Sequence, residues 1–219
     1  METREITHIG VAIIVMTLVF GFAGILENGF TTYLPSLLWI LLFSALIILV
    51  AIAAKKVMAR ALDSDVEHEI WSWSRYGFKP NEHLKTPLPA GALFPLALAL
   101  VTIGYFKLCA FLTYETRVSK YRASKRFGIY SFSEMTDWHN GLIGAVGIMS
   151  VLLVGVIGYF QGAELLFKMA TYYAVFNLIP FSKLDGAQIF FGNRILWATL
   201  AIITLIATAY AFAISGSLI

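Results

Sequence analysis

The sequence predicts an all-α membrane protein, a polytopic bundle of about six transmembrane helices, and its composition is the first reason. Of the 219 residues, 59% are hydrophobic and 13% are charged, whereas soluble domains have roughly 45 to 50% and about 25%. A soluble fold of about 200 residues still exposes roughly 30% of the surface its chain could expose. It cannot bury this much apolar side chain, so we expect a lipid bilayer as the solvent. The net charge of +3 also lacks the basic excess that a nucleic-acid binder needs.

The distribution of the charges is the second reason, because it leaves six apolar segments near the length of about 20 residues that crosses a hydrocarbon core. The first two are uncharged and are joined by a short polar turn, which makes them an antiparallel pair. The polar stretches between segments are too short for separate domains, so we expect one integral, multi-pass membrane domain over residues 1–219. The predicted spans lie near residues 9–26, 34–54, 86–114, 141–163, 165–182 and 195–219.

The third segment contains Pro87, Pro89 and Pro95, which fit poorly into the start of a straight helix. Irregular backbone at membrane depth is tolerated only where it is buried in protein or lines a cavity. The sequence therefore predicts a re-entrant segment around residues 86–100 as the alternative to a simple third span.

A ten-residue stretch at the end of the fifth segment carries the most specific signal. Pro180 removes a backbone donor and disfavours helix at the preceding residue, so the helix should bend or unwind there. Beyond the break, Asp185 is the one carboxylate of the region, and Gly186 allows another backbone or a ligand to approach closely. An ionisable residue in such a segment is a functional candidate by default.

The spacing of Asn177, Pro180, Leu184, Asp185 and Gly186 resembles the Asn-x-x-Pro-x-x-x-Leu-Asp-Gly motif of site-2 proteases, a family of intramembrane zinc metalloproteases. The resemblance implies that family's core architecture, and it implies that Asp185 stands where the family has a zinc ligand. The family's other ligands and its general base come from His-Glu-x-x-His on a helix. The four histidines here are at positions 8, 68, 83 and 139, and no two of them are four residues apart.

Two alignments with the zinc helix of the family are open. One places Ala51 and Lys55 at the histidine positions and Ile52 at the glutamate, and the other places Asp65 and Glu69 at the histidine positions. Neither restores a zinc site, because hydrolytic zinc usually has three protein ligands. The resemblance therefore implies a vestigial metal site with no catalytic residues and no cofactor.

Under the first alignment we expect an ion pair between Lys55 and Asp185, in which an internal ammonium replaces the metal. Such a pair would neutralise a carboxylate that is expensive at membrane depth. The alternatives are that Lys55 is an ordinary interfacial lysine that extends its ammonium toward water, and that Lys183 is the partner of Asp185.

The favoured function is a proteolytically inactive protein that binds or regulates other membrane proteins or transmembrane segments. The enzymatic alternative is an active metalloprotease whose zinc is held by Asp185, His139 and His68. For the two histidines the simpler expectations are a helix-capping turn with Asn140 as the cap, and a solvated acidic face around His68.

A third function, that of a small transporter or channel, follows from the polar groups in the apolar segments. Asn177, Lys107 and Asp185 lie in or at the ends of these segments, and transporters use broken helices at their binding sites.

Overall fold

The computed structural model describes residues 3–75, 83–118 and 135–215. Within these ranges the chain forms seven helices and four short strands. In chain order they are α1 (Thr3–Asn28), α2 (Phe30–Ala61), β1 (Ser64–Ile70), β2 (Trp73–Arg75), β3 (His83–Leu88), α3 (Ala90–Val101), β4 (Leu112–Val118), α4 (Asp137–Phe160), α5 (Glu164–Leu178), α6 (Asp185–Gly192) and α7 (Arg194–Ser215).

Four helices of the described ranges are long and apolar enough to cross a membrane. These are α1, α2, α4 and α7, with 26, 32, 24 and 22 residues. They coincide with the first, second, fourth and sixth apolar segments of the sequence. The helical, membrane character expected from composition is therefore present, while the third and fifth segments differ from simple spans.

The third segment does not form one straight span over residues 86–114. Its helix, α3, has 12 residues, and the chain then returns to the place where α3 begins. There the Gly91 N–H donates to the Trp71 carbonyl (2.8 Å) and the Trp71 N–H donates to the Phe111 carbonyl (2.9 Å). At the far end, Gly104 lies against Ala23 of α1. Residues 90–111 thus enter and leave the bundle at the same end.

The fifth segment is interrupted where Pro180 predicts it. Helix α5 ends at Leu178 after 15 residues, and Ile179 is extended with ψ 125°, the conformation that a following proline imposes. The chain resumes as helix at Asp185. Residues 165–182 therefore do not form a continuous span, because the proline both removes a donor and excludes helix before it.

Two pairs of short antiparallel strands occupy polar stretches where the all-α prediction has no strands. β1 pairs with β4 in a register that joins Ser64 to Val118 and Ile70 to Leu112, and β2 pairs with β3. In β1 the buried side chains alternate, with Val66 and His68 inward and charged neighbours outward. This alternation is what a strand with one buried face requires, and the β1–β4 pair packs against the ends of α1 and α2.

Helix α4 is the centre of the bundle, with α2, α5 and α6 packed around it. The largest cluster of buried apolar side chains joins α1, α2, α4 and α5, and includes Met16, Ile47, Val151 and Met169. A smaller cluster joins α4 to α6 and α7 through Ile148 and Ile189. These contacts fix α6 against α4 and so hold Asp185 inside the protein.

Candidate functional site

The structure brings together Lys55 and Asp185, with Lys55 Nζ 2.5 Å from Asp185 Oδ2. Both side chains are buried, with relative exposures of 3% and 1%. Lys55 lies near the end of α2 and Asp185 is the first residue of α6. Lys183, the rival partner, instead forms an exposed ion pair with Glu115 at 3.0 Å.

The break between α5 and α6 positions Asp185. Gly186 packs so closely on the end of α5 that a Cβ atom there would lie 2.1 Å from the Leu178 carbonyl oxygen, so only glycine fits. The Asn177 amide donates to the carbonyls of Tyr173 (2.8 Å) and Cys109 (2.9 Å). It therefore ties the end of α5 to the part of residues 90–111 that returns after α3.

The other two residues of the motif, Pro180 and Leu184, also help to position α6. Pro180 follows Ile179, the extended residue directly after the end of α5. Leu184 is buried against Trp71, Ala90 and Ala110, beside the point where residues 90–111 enter the bundle. The motif as a whole therefore anchors α6 to its surroundings.

Glycines on one face of α4 make room for the ion pair. A Cβ atom on Gly147 would lie 2.5 Å from Lys55 Cε, and one on Gly144 would lie 2.7 Å from the Tyr114 hydroxyl oxygen. Gly141 packs in the same way against the backbone of α6. The three-residue spacing of these glycines predicts close helix packing. In the structure, the aliphatic stem of Lys55 is one of the groups that packs directly on them.

Tyr114 of β4 covers the ammonium of Lys55. The ring centroid is 4.7 Å from Lys55 Nζ, within the range of a cation–π contact. The Tyr114 hydroxyl donates to the Asn140 carbonyl at 2.6 Å, and burial raises the pKa of Tyr114. The tyrosine is therefore a neutral donor that contributes to both the packing and the electrostatics of the site.

Asp185 depends on Lys55 for its neutralisation. Apart from the Lys55 ammonium, neither of its carboxylate oxygens has a hydrogen-bond partner among the described residues. An uncompensated buried charge costs several kcal/mol by rough estimate. The pair is thus two charges that are each acceptable at this depth only because the other is present.

A second buried cluster, formed by Glu5, His68 and Lys56, lies beside the first. The Glu5 carboxylate contacts Lys56 Nζ at 2.7 Å and His68 Nδ1 at 3.2 Å, and it accepts from the His68 backbone N–H at 3.3 Å. Burial lowers the pKa of His68 to about 3, and the charge of nearby Lys55 acts in the same direction. His68 is therefore neutral and joins α1 to β1.

The expectation that His68 lies on a solvated acidic face is wrong, because its side chain is 1% exposed. The signal that could have placed it inside is the alternation of Val66, His68 and Ile70 along β1. Nothing in the local sequence of Glu5 distinguishes it from a solvated acid before a span.

His139 lies in the first turn of α4, in a capping turn as expected, but the cap is a different residue. Thr136, and not Asn140, is the N-cap, and its hydroxyl accepts from the His139 backbone N–H. Thr136 and the His139 ring are also in hydrogen-bond contact. The Asn140 side chain instead accepts from Thr116 at 2.6 Å, because position 140 is already inside the helix.

The three proposed zinc ligands have different partners. Asp185 contacts Lys55, His68 contacts Glu5 and His139 contacts Thr136. In the described ranges no group of three or more His, Cys, Asp or Glu residues is placed to hold a metal ion. The atypical ligand set of the enzymatic alternative is therefore not assembled there.

Two cavities flank the segment that leads into Asp185. The apolar groove has a volume of about 430 Å³ and lies between α3, α5 and the break, with Phe94, Leu98, Phe176, Phe181 and Leu184 in its wall. The polar pocket has a volume of about 440 Å³, with Tyr114, Glu115, Asp137, Lys183 and Gln188 in its wall.

Comparison of the chain with protein-family models, curated proteins and solved structures gives no match. The resemblance to site-2 proteases consequently rests on the motif around Asp185, and the function has to be inferred from the geometry of the site.

Proposed function

We propose that the chain is a multi-pass membrane protein with a site-2-protease-like core that works without a metal and binds an apolar transmembrane segment of another membrane protein. The observation that carries this proposal is the ammonium of Lys55 in contact with the Asp185 carboxylate. It supports a site in which the chain itself provides the positive charge.

The charge balance of the site favours the absence of zinc. A catalytic zinc ion usually has three protein ligands and an open position. Here the carboxylate is already neutralised by an ammonium 2.5 Å away, which would repel a dication brought to the same place. Proteolysis through a metal-bound water is therefore not the function we propose.

The apolar groove supports the binding function. Its lining is entirely apolar, it includes the aromatic side chains Phe94, Phe176 and Phe181, and Leu184 connects it directly to Asp185. Lipid chains and small apolar side chains can fit into this groove and pack against its walls. Because helix association in membranes depends on packing rather than on the hydrophobic effect, a preformed groove of this kind suits a protein segment.

Metal analysis of the purified protein tests the first half of the proposal. We expect no stoichiometric zinc in the wild-type protein or in Asp185→Asn after preparation in zinc-containing medium. Stoichiometric zinc in the wild type that is lost in Asp185→Asn would instead establish the metalloprotease.

Peptide binding in bilayer nanodiscs tests the second half. The probe is a fluorescent single-span peptide of about 20 leucine and alanine residues, the length that crosses the core. We expect Ala97→Trp, which fills the groove, to abolish saturable binding, and Ile203→Trp, on the exposed face of α7, to retain it. Equal binding by both variants would refute the groove as the site, and Asp185-dependent ion flux in proteoliposomes would favour the transporter.

A further inference from the structure

The two ends of the helix bundle are made of different parts of the chain. At one end, which we call the site end, Glu5 near the start of α1 contacts Lys56 near the end of α2. Gly192 of α6 packs there on the Asp137 carbonyl at the start of α4. The paired strands β1 and β4 and the polar pocket lie at the same end. The site end therefore surrounds the ion pair of Asp185 with polar segments.

The opposite end, which we call the turn end, consists of two short connections and the far part of α7. Helices α1 and α2 are joined at Gly29, and α4 is joined to α5 through residues 161–163. Tyr210 of α7 lies beside Tyr159 near the end of α4, with 2.9 Å between their hydroxyl oxygens. A helix as long as α4 measures about 36 Å, so the two ends are far enough apart to lie on opposite sides of a bilayer core of roughly 30 Å.

Basic residues are concentrated at the site end. Besides the buried Lys55, eight of them lie in its strands, helix ends and connections within the described ranges. They are Arg4, Lys56, Arg60, Arg75, Lys85, Arg117, Lys183 and Arg194. The two other basic residues of these ranges are Lys107, in the part of residues 90–111 that returns after α3, and Lys168, in the second turn of α5. Neither connection of the turn end contains one.

The return of residues 90–111 to the point where they enter the bundle produces this asymmetry. Strand β1 precedes these residues and β4 follows them, and Asp65 lies opposite Arg117 in the register of the two strands. If the predicted span over residues 86–114 crossed the bundle, Arg117 would lie at the turn end. The six-span prediction thus divides the basic residues between the two ends, whereas the fold collects them at one.

We propose that the site end faces the cytoplasm and that the turn end faces the opposite side of the membrane. Short stretches that border membrane spans carry an excess of Lys and Arg on the cytoplasmic side. In the described ranges eight such residues lie at the site end and none in the connections of the turn end. Any solute that enters the polar pocket then comes from the cytoplasm. The inference rests on the transmembrane bundle of the proposed function, and it does not depend on what the apolar groove binds.

Labelling of single cysteines from each side of the membrane tests the orientation. The one native cysteine, Cys109, is fully buried, so the wild-type protein is the unlabelled control. Ser72→Cys places an exposed thiol at the site end, and Asn28→Cys and Gln161→Cys place one at each connection of the turn end. The reagent is a membrane-impermeant maleimide, applied to intact cells and to inverted membrane vesicles, and detergent-solubilised protein gives the total labelling.

We expect Ser72→Cys to be labelled in inverted vesicles and to lose that labelling on intact cells, and both turn-end variants to show the reverse. Ser74→Cys, at a second exposed position of the site end, replaces Ser72→Cys if that variant does not fold. The opposite pattern would overturn the orientation and leave the transmembrane bundle intact. Labelling of both ends from one side only would refute the bundle itself, and labelling of each end from both sides would refute a single orientation.

Discussion

Lys55 and Lys56 are consecutive residues that form ion pairs with two different buried acids. Lys55 pairs with Asp185 of α6, and Lys56 pairs with Glu5 of α1. The side chain of Lys55 is 3% exposed and that of Lys56 is 22% exposed. Because adjacent positions on a helix point in different directions, one turn of α2 reaches both sides of the bundle.

The two clusters differ in how each acid is satisfied. Glu5 has two donors in His68 in addition to its lysine, so the cluster is a hydrogen-bonded joint between α1 and β1. Asp185 has its lysine and no other described partner. The comparison indicates that the first cluster is structural, whereas the second sets one buried carboxylate against a single ammonium.

Removing one member of the Lys55–Asp185 pair should have the largest effect. Lys55→Ala or Asp185→Ala leaves a bare buried charge, and we expect a loss of about 3 to 5 kcal/mol in the free energy of unfolding. The double variant Lys55→Met/Asp185→Leu should recover most of that loss. Reversible unfolding in detergent measures all three, and a double variant as unstable as the single ones would contradict the account.

Gly147→Ala should have the next largest effect, a loss of up to about 3 kcal/mol in the free energy of unfolding from overpacking. The added Cβ would lie 2.5 Å from Lys55 Cε, so the lysine must move away from Asp185. Gly10→Ala in α1 is the matched control, because nothing lies within 4 Å of its Cβ, and the change should be neutral or stabilising. Equal effects at the two positions would refute the claim that Gly147 accommodates Lys55.

The neighbouring cluster should make stability fall with acidity. His68 has a pKa of about 3 in the folded protein and about 6.5 when unfolded, so below pH 6.5 the unfolded chain binds the extra proton. Stability should then drop by up to about 1.4 kcal/mol per pH unit, or about 2 kcal/mol at pH 5.

Melting temperatures of the wild type and of His68→Gln between pH 7.5 and 5 measure this contribution. The difference between the two proteins isolates His68 from Glu5, Lys55, Lys56 and Asp185, which stay in both. A pH dependence that is the same in His68→Gln would mean that His68 is not buried in its neutral form.

The smallest effect should be at the start of α4. Thr136→Ala removes the N-cap of that helix and should cost about 1 kcal/mol. Thr7→Ala, an exposed hydroxyl that bonds within α1, is the control and should change stability by less than half as much. Asn140→Ala also loses the hydrogen bond from Thr116, so Thr116→Val is its control. A larger loss of stability in Asn140→Ala than in Thr136→Ala, with no loss in Thr116→Val, would support Asn140 as the cap.

The sequence indicates some parts of this site because local chemistry determines them. Pro180 ends α5 by removing a donor, and Gly186 permits the close approach that follows. Both effects act within a few residues along the chain. Lys55 can be proposed as the partner of Asp185 only through the alignment with the zinc helix, which places Lys55 at a histidine position.

The remainder depends on contacts between residues far apart in the chain. The Glu5 to His68 contact joins positions 63 residues apart, and β1 pairs with β4 although all of residues 90–111 lie between them in the chain. Short strands with charged outer faces resemble surface loops in a sequence, and partnership across such a distance leaves no local pattern. The N-cap is Thr136, four residues before the Asn140 that the sequence predicts, because helix boundaries are the least certain feature of a sequence pattern.

The claim that an ammonium takes the place of a metal is tested most directly by chemical rescue. Lys55→Ala removes the equivalent of n-propylamine, so n-propylammonium should raise the melting temperature of that variant. It should not change the wild type or Lys55→Ala/Asp185→Asn. Stabilisation of Lys55→Ala by n-propylammonium that requires Asp185 is the result we predict, and stabilisation of the wild-type protein by zinc with no response of the variant to the amine would contradict it.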